Sequence, residues 1–322
     1  MLVVGDNGVG KTNLLEALHV GTQGFSPRTR AEGQLIRFGE PAASIGLEID
    51  RDGVAHRVRL KLSPGAAKAA ELDGTRLTSA ESLRREFTTL VFTPDRLAVV
   101  KGGPAVRRAY VDRVAGRLHP ARLAVPQDYA AALAQRNAAL RRIQLGLSAG
   151  DALAPWTERV AELGARLTEL RAETAQALSP GFGVRGNELG LADARLAYEA
   201  VAPTVAALEA RIDQDLVRGS TGLGPHLDDV LIAAGNRELR SFGSQGEQRL
   251  AVLSLLLAEA ELLGSEPLLL LDDVLSELDS GRRRVLAERV AVMGQVVITA
   301  TQRSALPLEP AQVVEVVPGQ AR

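Results

Sequence analysis

The sequence predicts an α/β fold: a phosphate-loop sheet flanked by helices, with an antiparallel β part and an inserted helical lobe. Three observations carry that expectation. The glycine loop Gly5-Asp6-Asn7-Gly8-Val9-Gly10-Lys11-Thr12 separates a short apolar stretch, MLVV, from the helical NLLEALHV. Toward the other end, four leucines run into paired aspartates in PLLLLDD (267–273), as a buried parallel strand would. Between them, from about 103 to 219, the chain is rich in Ala, Leu, Arg and Glu and reads as helical.

Residues 1–102 supply the first part of the core. One helix follows the loop, and SIGLEID (44–50) and HRVRLKL (56–62) alternate apolar with polar residues, as half-buried antiparallel strands do. Residues 103–219 form the lobe. WTERVAELGARLTELRAETAQAL (156–178) places Val160, Leu163, Leu167, Leu170 and Ala177 near helical spacing, without the heptad array of a rod. SPGFGVRGNELG (179–190) is its most loop-like interruption. Residues 220–322 return to the core. DDVLIAA (228–234), a helix after Ser244, PLLLL, another helix and QVVITA (295–300) alternate strand with helix, which predicts a parallel sheet with helices on its faces.

A chain of 322 residues can bury a substantial core, and 46% apolar with 24% charged residues is ordinary for a soluble globular protein. Cysteine is absent, which excludes disulfides and thiolate metal sites. The four histidines, His19, His56, His119 and His226, are too scattered for a zinc cluster. The start has neither the basic nor the apolar region of a signal peptide, and Ser, Glu and Gly interrupt the longest apolar runs, so no membrane span is expected. A cytoplasmic location follows. The net charge of −1 means that any nucleic-acid contact must come from a local patch.

The loop satisfies G-x-x-x-x-G-K-[ST] at every position. Its glycines let the backbone N–H groups point inward at phosphate oxygens. Lys11 supplies charge for the outer phosphates, Thr12 a hydroxyl for Mg²⁺, and the helix its positive dipole end. Gly5 to Thr12 are therefore the candidate ATP-binding residues. Asp272, at the carboxyl end of a buried strand, would hold Mg²⁺ directly or through a water. Asp273 is the candidate catalytic residue, a second carboxylate placed to polarise the attacking water. Gln34, in AEGQLIRFG, is either a glutamine-loop residue bridging metal and water or an exposed polar residue. Ser244-x-x-Glu247 is a capping box ahead of a long apolar helix. With Gly246 beside it, the same stretch fits the serine-glycine signature by which one ATPase head reaches the γ-phosphate on its partner, and the two readings are compatible. In Ser276-Glu277-Leu278-Asp279, the turn with Ser276 and Asp279 would lie at the interface of a head-to-head dimer, near the partner's nucleotide; Asp279 reads equally as an N-cap of the next helix.

Together these motifs resemble the head domains of the ABC ATPase superfamily and, more narrowly, the RecF family of bacterial recombination mediators. The narrower resemblance rests on PDRLAVVKGGPAVRRAYVD (94–112) and LLLDDVLSELDSGRRRVL (269–286), with QRNAAL (135–140) and GPHLDDVLI (224–232) in support; Leu227 stands where the family frequently has arginine. The resemblance covers the whole chain in order. It implies a slow DNA-dependent ATPase using ATP and Mg²⁺, dimerising on ATP and separating after hydrolysis. It implies action at gapped DNA, on duplex next to single strand, with RecR and RecO helping to load RecA, and association with the nucleoid when DNA is bound. Lys11 and Ser244 are 233 positions apart, farther than in transporter ATPase subunits and closer than in cohesion-type heads with long coiled coils. The alternatives are a transporter ATPase subunit and a non-hydrolysing ATP-binding module of the same fold.

Several positions depart from the family pattern. Asp273 stands where most ABC heads carry Glu, and a carboxylate set back by one methylene predicts slow turnover. No histidine follows His226, so Thr301 or Gln302 occupies the place of the γ-phosphate histidine. A buried strand usually has five or six residues, MLVV offers at most four, and RecF-like heads carry about thirty residues ahead of it, so an upstream start is expected, the alternative being a short form that binds ATP weakly. For DNA, residues 101–142 hold nine basic side chains against two acidic ones. Lys101, Arg108, Arg113, Arg117, Arg141 and Arg142 are the candidates, whereas Arg107 falls on the apolar side of its helix and predicts a buried partner. With 3% aromatics there is no stacking platform for single strands, so contact with the duplex backbone is expected.

Overall fold

The computed structural model describes residues 1–29, 31–51, 53–264 and 267–322. It divides into two compact units, Met1–Arg96 with Leu263–Arg322, and Leu97–Leu262.

A six-stranded sheet organises the first unit. Its order is Gln320–Ala321, Val313–Val317, Leu2–Val4, Val296–Ala300, Leu268–Leu271, Thr89–Phe92. Every neighbour is parallel except the hairpin that closes the chain. The three-residue strand Leu2–Val4 lies inside the sheet, level with Ile298–Ala300 on one side and Val313–Glu315 on the other. Burial on both faces explains its unbroken apolar sequence. The helix Lys11–Gln23 sets Leu15 against Val3, Val91, Leu270 and Val297 of this sheet. Val20 of the same helix packs with Val58, Leu60 and Leu62 of a second sheet, and with Phe87, which follows the short helix Leu83–Glu86.

That second sheet is antiparallel, in the order Ala43–Arg51, Val54–Leu62, Ala69–Leu72, Thr75–Arg76. The alternation read from the sequence is realised: Val58, Leu60 and Leu62 are buried while Arg57, Arg59 and Lys61 are exposed. The helix approaches it closely at Gly21, where a Cβ would stand 2.5 Å from Leu47 Cδ1.

The second unit holds the helices Pro104–Leu118, Val125–Gln144, Ala154–Glu188 and, all but its last residue, Gln245–Leu263. Three features differ from the sequence reading. Most of the loop expected at 179–190 is helix: Ala154–Glu188 runs for 35 residues with Pro180 inside it, and only Leu189 and Gly190 turn away. Its glycines serve close packing, since a Cβ at Gly186 would lie 2.5 Å from Ala194 Cβ and one at Gly181 3.2 Å from Ala258 Cβ. Along this helix Val160, Leu163, Leu167 and Leu170 are buried as expected, but Ala177 is exposed and Leu178 takes the inward position. Lastly, Leu231–Ala234 belongs to no parallel sheet; it pairs antiparallel with Ala194–Ala197 and Arg237–Glu238. That pairing, and the packing of Gly181 on Ala258, carry the second unit past residue 219 to Leu262.

Candidate nucleotide site

In the first unit the strand Leu2–Val4 delivers the loop at its carboxyl end. Gly10 caps the following helix with φ 112°, and Gly8 has φ 84°, backbone that side chains rarely adopt. At Gly5 a Cβ would fall 2.4 Å from the Val316 carbonyl, so the neighbouring strand demands glycine there. The Lys11 ammonium donates to the carbonyls of Gly5 (2.6 Å) and Asp6 (2.8 Å), which holds it across the loop.

The strand order brings a second cluster to the same edge. Thr12 Oγ1 donates to Asp272 Oδ1 at 3.1 Å across 260 positions of sequence. Thr299 Oγ1 donates to the same oxygen at 2.8 Å, and the Asp273 amide donates to Thr299 Oγ1, also at 2.8 Å. Asp272 and Thr299 are buried, whereas Asp273 is exposed with φ 50°. A polar cavity of about 180 Å³ opens beside Asp273, lined by Ser276, Arg283, Thr301, Gln302 and Ser304 among others. Thr301 and Gln302 thus stand beside the candidate catalytic carboxylate.

These groups fit ATP and Mg²⁺. At Gly8 and Gly10 a Cβ would meet nothing within 4 Å, so the loop backbone is open to a phosphate. Thr12 and Asp272 offer two hard oxygen donors side by side, which suits a Mg²⁺ that takes its remaining ligands from phosphate and water. Gln34 takes no part in this cluster; it is exposed in the short helix Glu32–Leu35 and accepts from Thr29 Oγ1 at 2.6 Å. Thr299 was not legible as a site residue, because one Thr among β-branched residues reads as an ordinary strand former. Thr93, directly after the edge strand Thr89–Phe92, is buried, and its hydroxyl makes no hydrogen bond among the described residues.

Ser276 donates to the Asp273 carbonyl at 2.9 Å. Asp279 caps Ser280–Val290 by accepting from the Arg282 amide at 2.9 Å, a bond that holds its carboxyl below the usual range. Both residues are exposed. In the second unit the capping box is complete in both directions: Glu247 N–H donates to Ser244 Oγ at 3.2 Å and Ser244 N–H to Glu247 Oε2 at 2.7 Å. That amide and the Arg237 guanidinium lower the Glu247 carboxyl from its ordinary value. Ser244 and Gly246 are exposed, so capping leaves the signature accessible.

Much of the basic stretch 101–142 is neutralised within its own unit. Arg107 is buried and makes a forked pair with Asp229 at 2.7 and 2.6 Å, the partner its helical position demands. Arg136, fully buried, bonds Asp215 at 2.8 Å and Thr221 at 2.7 Å. Arg117 pairs with the buried Glu259, Arg122 with Glu173, and Arg108 donates to the Asp228 carbonyl at 2.5 Å. Lys101, Arg113, Arg141 and Arg142 have no ion pair among the described residues; Lys101, Arg141 and Arg142 are exposed along their side chains, whereas desolvation, with Arg117 nearby, lowers the Arg113 guanidinium from its ordinary value.

The model of the RecF/RecN/SMC N-terminal domain matches residues 1–320. The DNA replication and repair protein RecF of Anaeromyxobacter sp. (strain K) is 38% identical over 94% of this chain and 86% of its own. The protein of the same name from Synechococcus sp. (strain JA-3-3Ab) is 34% identical over 99% of this chain and 90% of its own. Among solved structures, the recombination mediator RecF with ATP, of the RecFOR pathway, aligns at a TM-score of 0.86 with 28% identity, covering 100% of this chain and 90% of that one. The Smc head domain of Pyrococcus furiosus, 17% identical with a TM-score of 0.59 over 100% of this chain and 88% of its own, shares the fold. Phosphate loop, paired aspartates, serine-glycine signature and a match along nearly the whole length converge on one conclusion: this chain belongs to the RecF family of DNA replication and repair proteins.

Proposed function

We propose that this protein is an ATP-dependent DNA-binding protein of recombinational repair, a slow DNA-dependent ATPase that dimerises on ATP at gapped DNA. The observation that carries this reading is the hydrogen bond of Thr12 to Asp272, which sets a hydroxyl and a carboxylate side by side across 260 positions of sequence. Gly5 to Thr12 would hold the phosphates of ATP, with Thr12 and Asp272 as ligands of Mg²⁺, which neutralises charge on the outer phosphates when bound. Asp273 would polarise the attacking water. Ser244, Gly246 and Glu247 would complete the partner's site, with Ser276 and Asp279 at the interface. Lys101, Arg141 and Arg142 are the cations best placed for duplex phosphates, and Arg113, whose guanidinium is desolvated, is less available. Arg108 and Arg117, already engaged with Asp228 and Glu259, have less to offer. RecR and RecO are the partners suggested by the pathway named for the solved relatives, and RecA the recombinase to be loaded. The match to RecF proteins sets aside the transporter subunit.

The test is ATP binding and hydrolysis with and without gapped duplex. Slow hydrolysis stimulated by DNA is expected, with nucleotide binding abolished in Lys11→Ala. Tight ATP binding without turnover under any DNA condition identifies the non-hydrolysing module instead.

A further inference from the structure

We infer that Thr299 is a positioning residue of the nucleotide site, whose hydroxyl ties the carboxylate of Asp272 to the backbone of Asp273 and so sets where both aspartates stand. The inference rests on the reading of that site as one for ATP and Mg²⁺.

The strand Val296–Ala300 lies between the strand that delivers the phosphate loop and the strand that delivers the aspartates. All five of its residues are buried, and Thr299, at 0% exposure, is the one polar side chain among them. Val would fill the same space. A buried hydroxyl is costly unless both its donor and its acceptor capacity are used. Here both are used, and their direction is settled. The Asp273 N–H can only donate, so Thr299 Oγ1 accepts from it at 2.8 Å. The single hydroxyl proton then goes to Asp272 Oδ1, at 2.8 Å.

Two consequences follow. Asp272 Oδ1 accepts from Thr12 and Thr299 together, which fixes the rotation of the carboxylate and leaves its other oxygen for a cation. Asp273 stands in the left-handed region at φ 50°, ψ 29°, where a non-glycine residue stays only when its surroundings hold it. Thr299 holds its amide, and Ser276 holds its carbonyl at 2.9 Å. One hydroxyl thus links the metal-binding carboxylate to the one placed for the attacking water.

The experiment uses the full chain and three variants: Thr299→Ser, Thr299→Ala and Thr299→Val. Affinity for a fluorescent ATP analogue is measured in EDTA and then across a Mg²⁺ titration, alongside kcat and KM for ATP. Removing a group that orients a metal ligand typically costs about 10–100-fold in metal affinity or activity. In Thr299→Ala and Thr299→Val the Mg²⁺ midpoint is expected to rise about tenfold and kcat to fall about 10–100-fold. Affinity in EDTA, set by the loop, should stay at the wild-type value, as should KM at saturating Mg²⁺. Thr299→Ser, which keeps the hydroxyl, should behave as wild type. Ser and Ala both lose the methyl, so their comparison isolates the hydroxyl even if Thr299→Val fails to fold. Equal Mg²⁺ midpoints for Thr299→Ala and Thr299→Ser overturn the positioning role. A wild-type protein whose nucleotide affinity ignores Mg²⁺ overturns the site reading itself, which is a separate result.

Discussion

Asp273 stands two residues beyond the buried strand Leu268–Leu271, exposed, with its backbone held at φ 50° by bonds to Thr299 and Ser276. Replacing it by Asn removes the negative charge while keeping shape, the amide bond and a residue type tolerant of left-handed backbone. Asp273→Asn is therefore expected to fold with an unchanged unfolding midpoint, bind ATP and fail to hydrolyse it. Size-exclusion chromatography with ATP should show a persistent dimer; a monomer carrying bound ATP would count against the role. The loop, Asp272 and Asp273 were legible as candidates because phosphate and metal chemistry demands particular residue types at particular spacing. Thr299 was not, since its role exists only through two neighbours that the sheet sets beside it. Gln34 shows the converse, a residue of suitable type whose side chain the fold turns to Thr29.

At the scale of elements, the helix Ala154–Glu188 is the clearest departure from local sequence signals. SPGFGVRGNE carries Pro and three glycines, the usual punctuation of a loop, yet the helix continues through it. Phe182 is fully buried, and Gly181 and Gly186 let the helix approach Ala258 and Ala194. Gly186→Val would drive its Cβ to within 2.5 Å of Ala194 Cβ. Overpacking of this kind costs about 1–3 kcal/mol, which should appear as a lower denaturant midpoint at unchanged slope. The same change at Gly150, where a Cβ meets nothing within 4 Å, is the control and should be near neutral. A glycine that opens a turn and one that admits a neighbouring element look alike until that neighbour is known. By contrast, the hairpin 43–62 was legible, because its alternation answers directly to one buried face.

For the molecule as a whole, His226 makes stability depend on pH. Its Nε2 lies 3.0 Å from the Thr221 carbonyl, which can only accept, so that nitrogen carries the proton and Nδ1 accepts from Tyr129 OH at 2.7 Å. Burial pushes the imidazole below its ordinary value. The unfolded chain therefore takes up a proton more readily than the folded one, and stability rises with pH across that window. The contribution is fully present above about 6.5 and is lost as pH falls from there toward the depressed folded value. The unfolding midpoint should drop between pH 7.5 and pH 5.5, and drop less in His226→Gln, as followed by thermal melts. An equal drop in both proteins assigns the effect to other groups.

The sequence by itself determined where the candidate phosphate site lies. Gly5 to Thr12, the aspartates after PLLLL and the capping box at Ser244 are each marked as candidates by residue type and spacing, which survive without coordinates. Only the tertiary structure decided which charges are free. Nine basic residues against two acidic ones in 101–142 marked the stretch for DNA, with six of them as candidates and Arg107 set apart for a buried partner. Folding returns Asp229, Glu259, Glu173 and Asp215 to four of those arginines across 51 to 142 positions. Local composition cannot register such pairs, because a charge is neutralised by what lies near it in space.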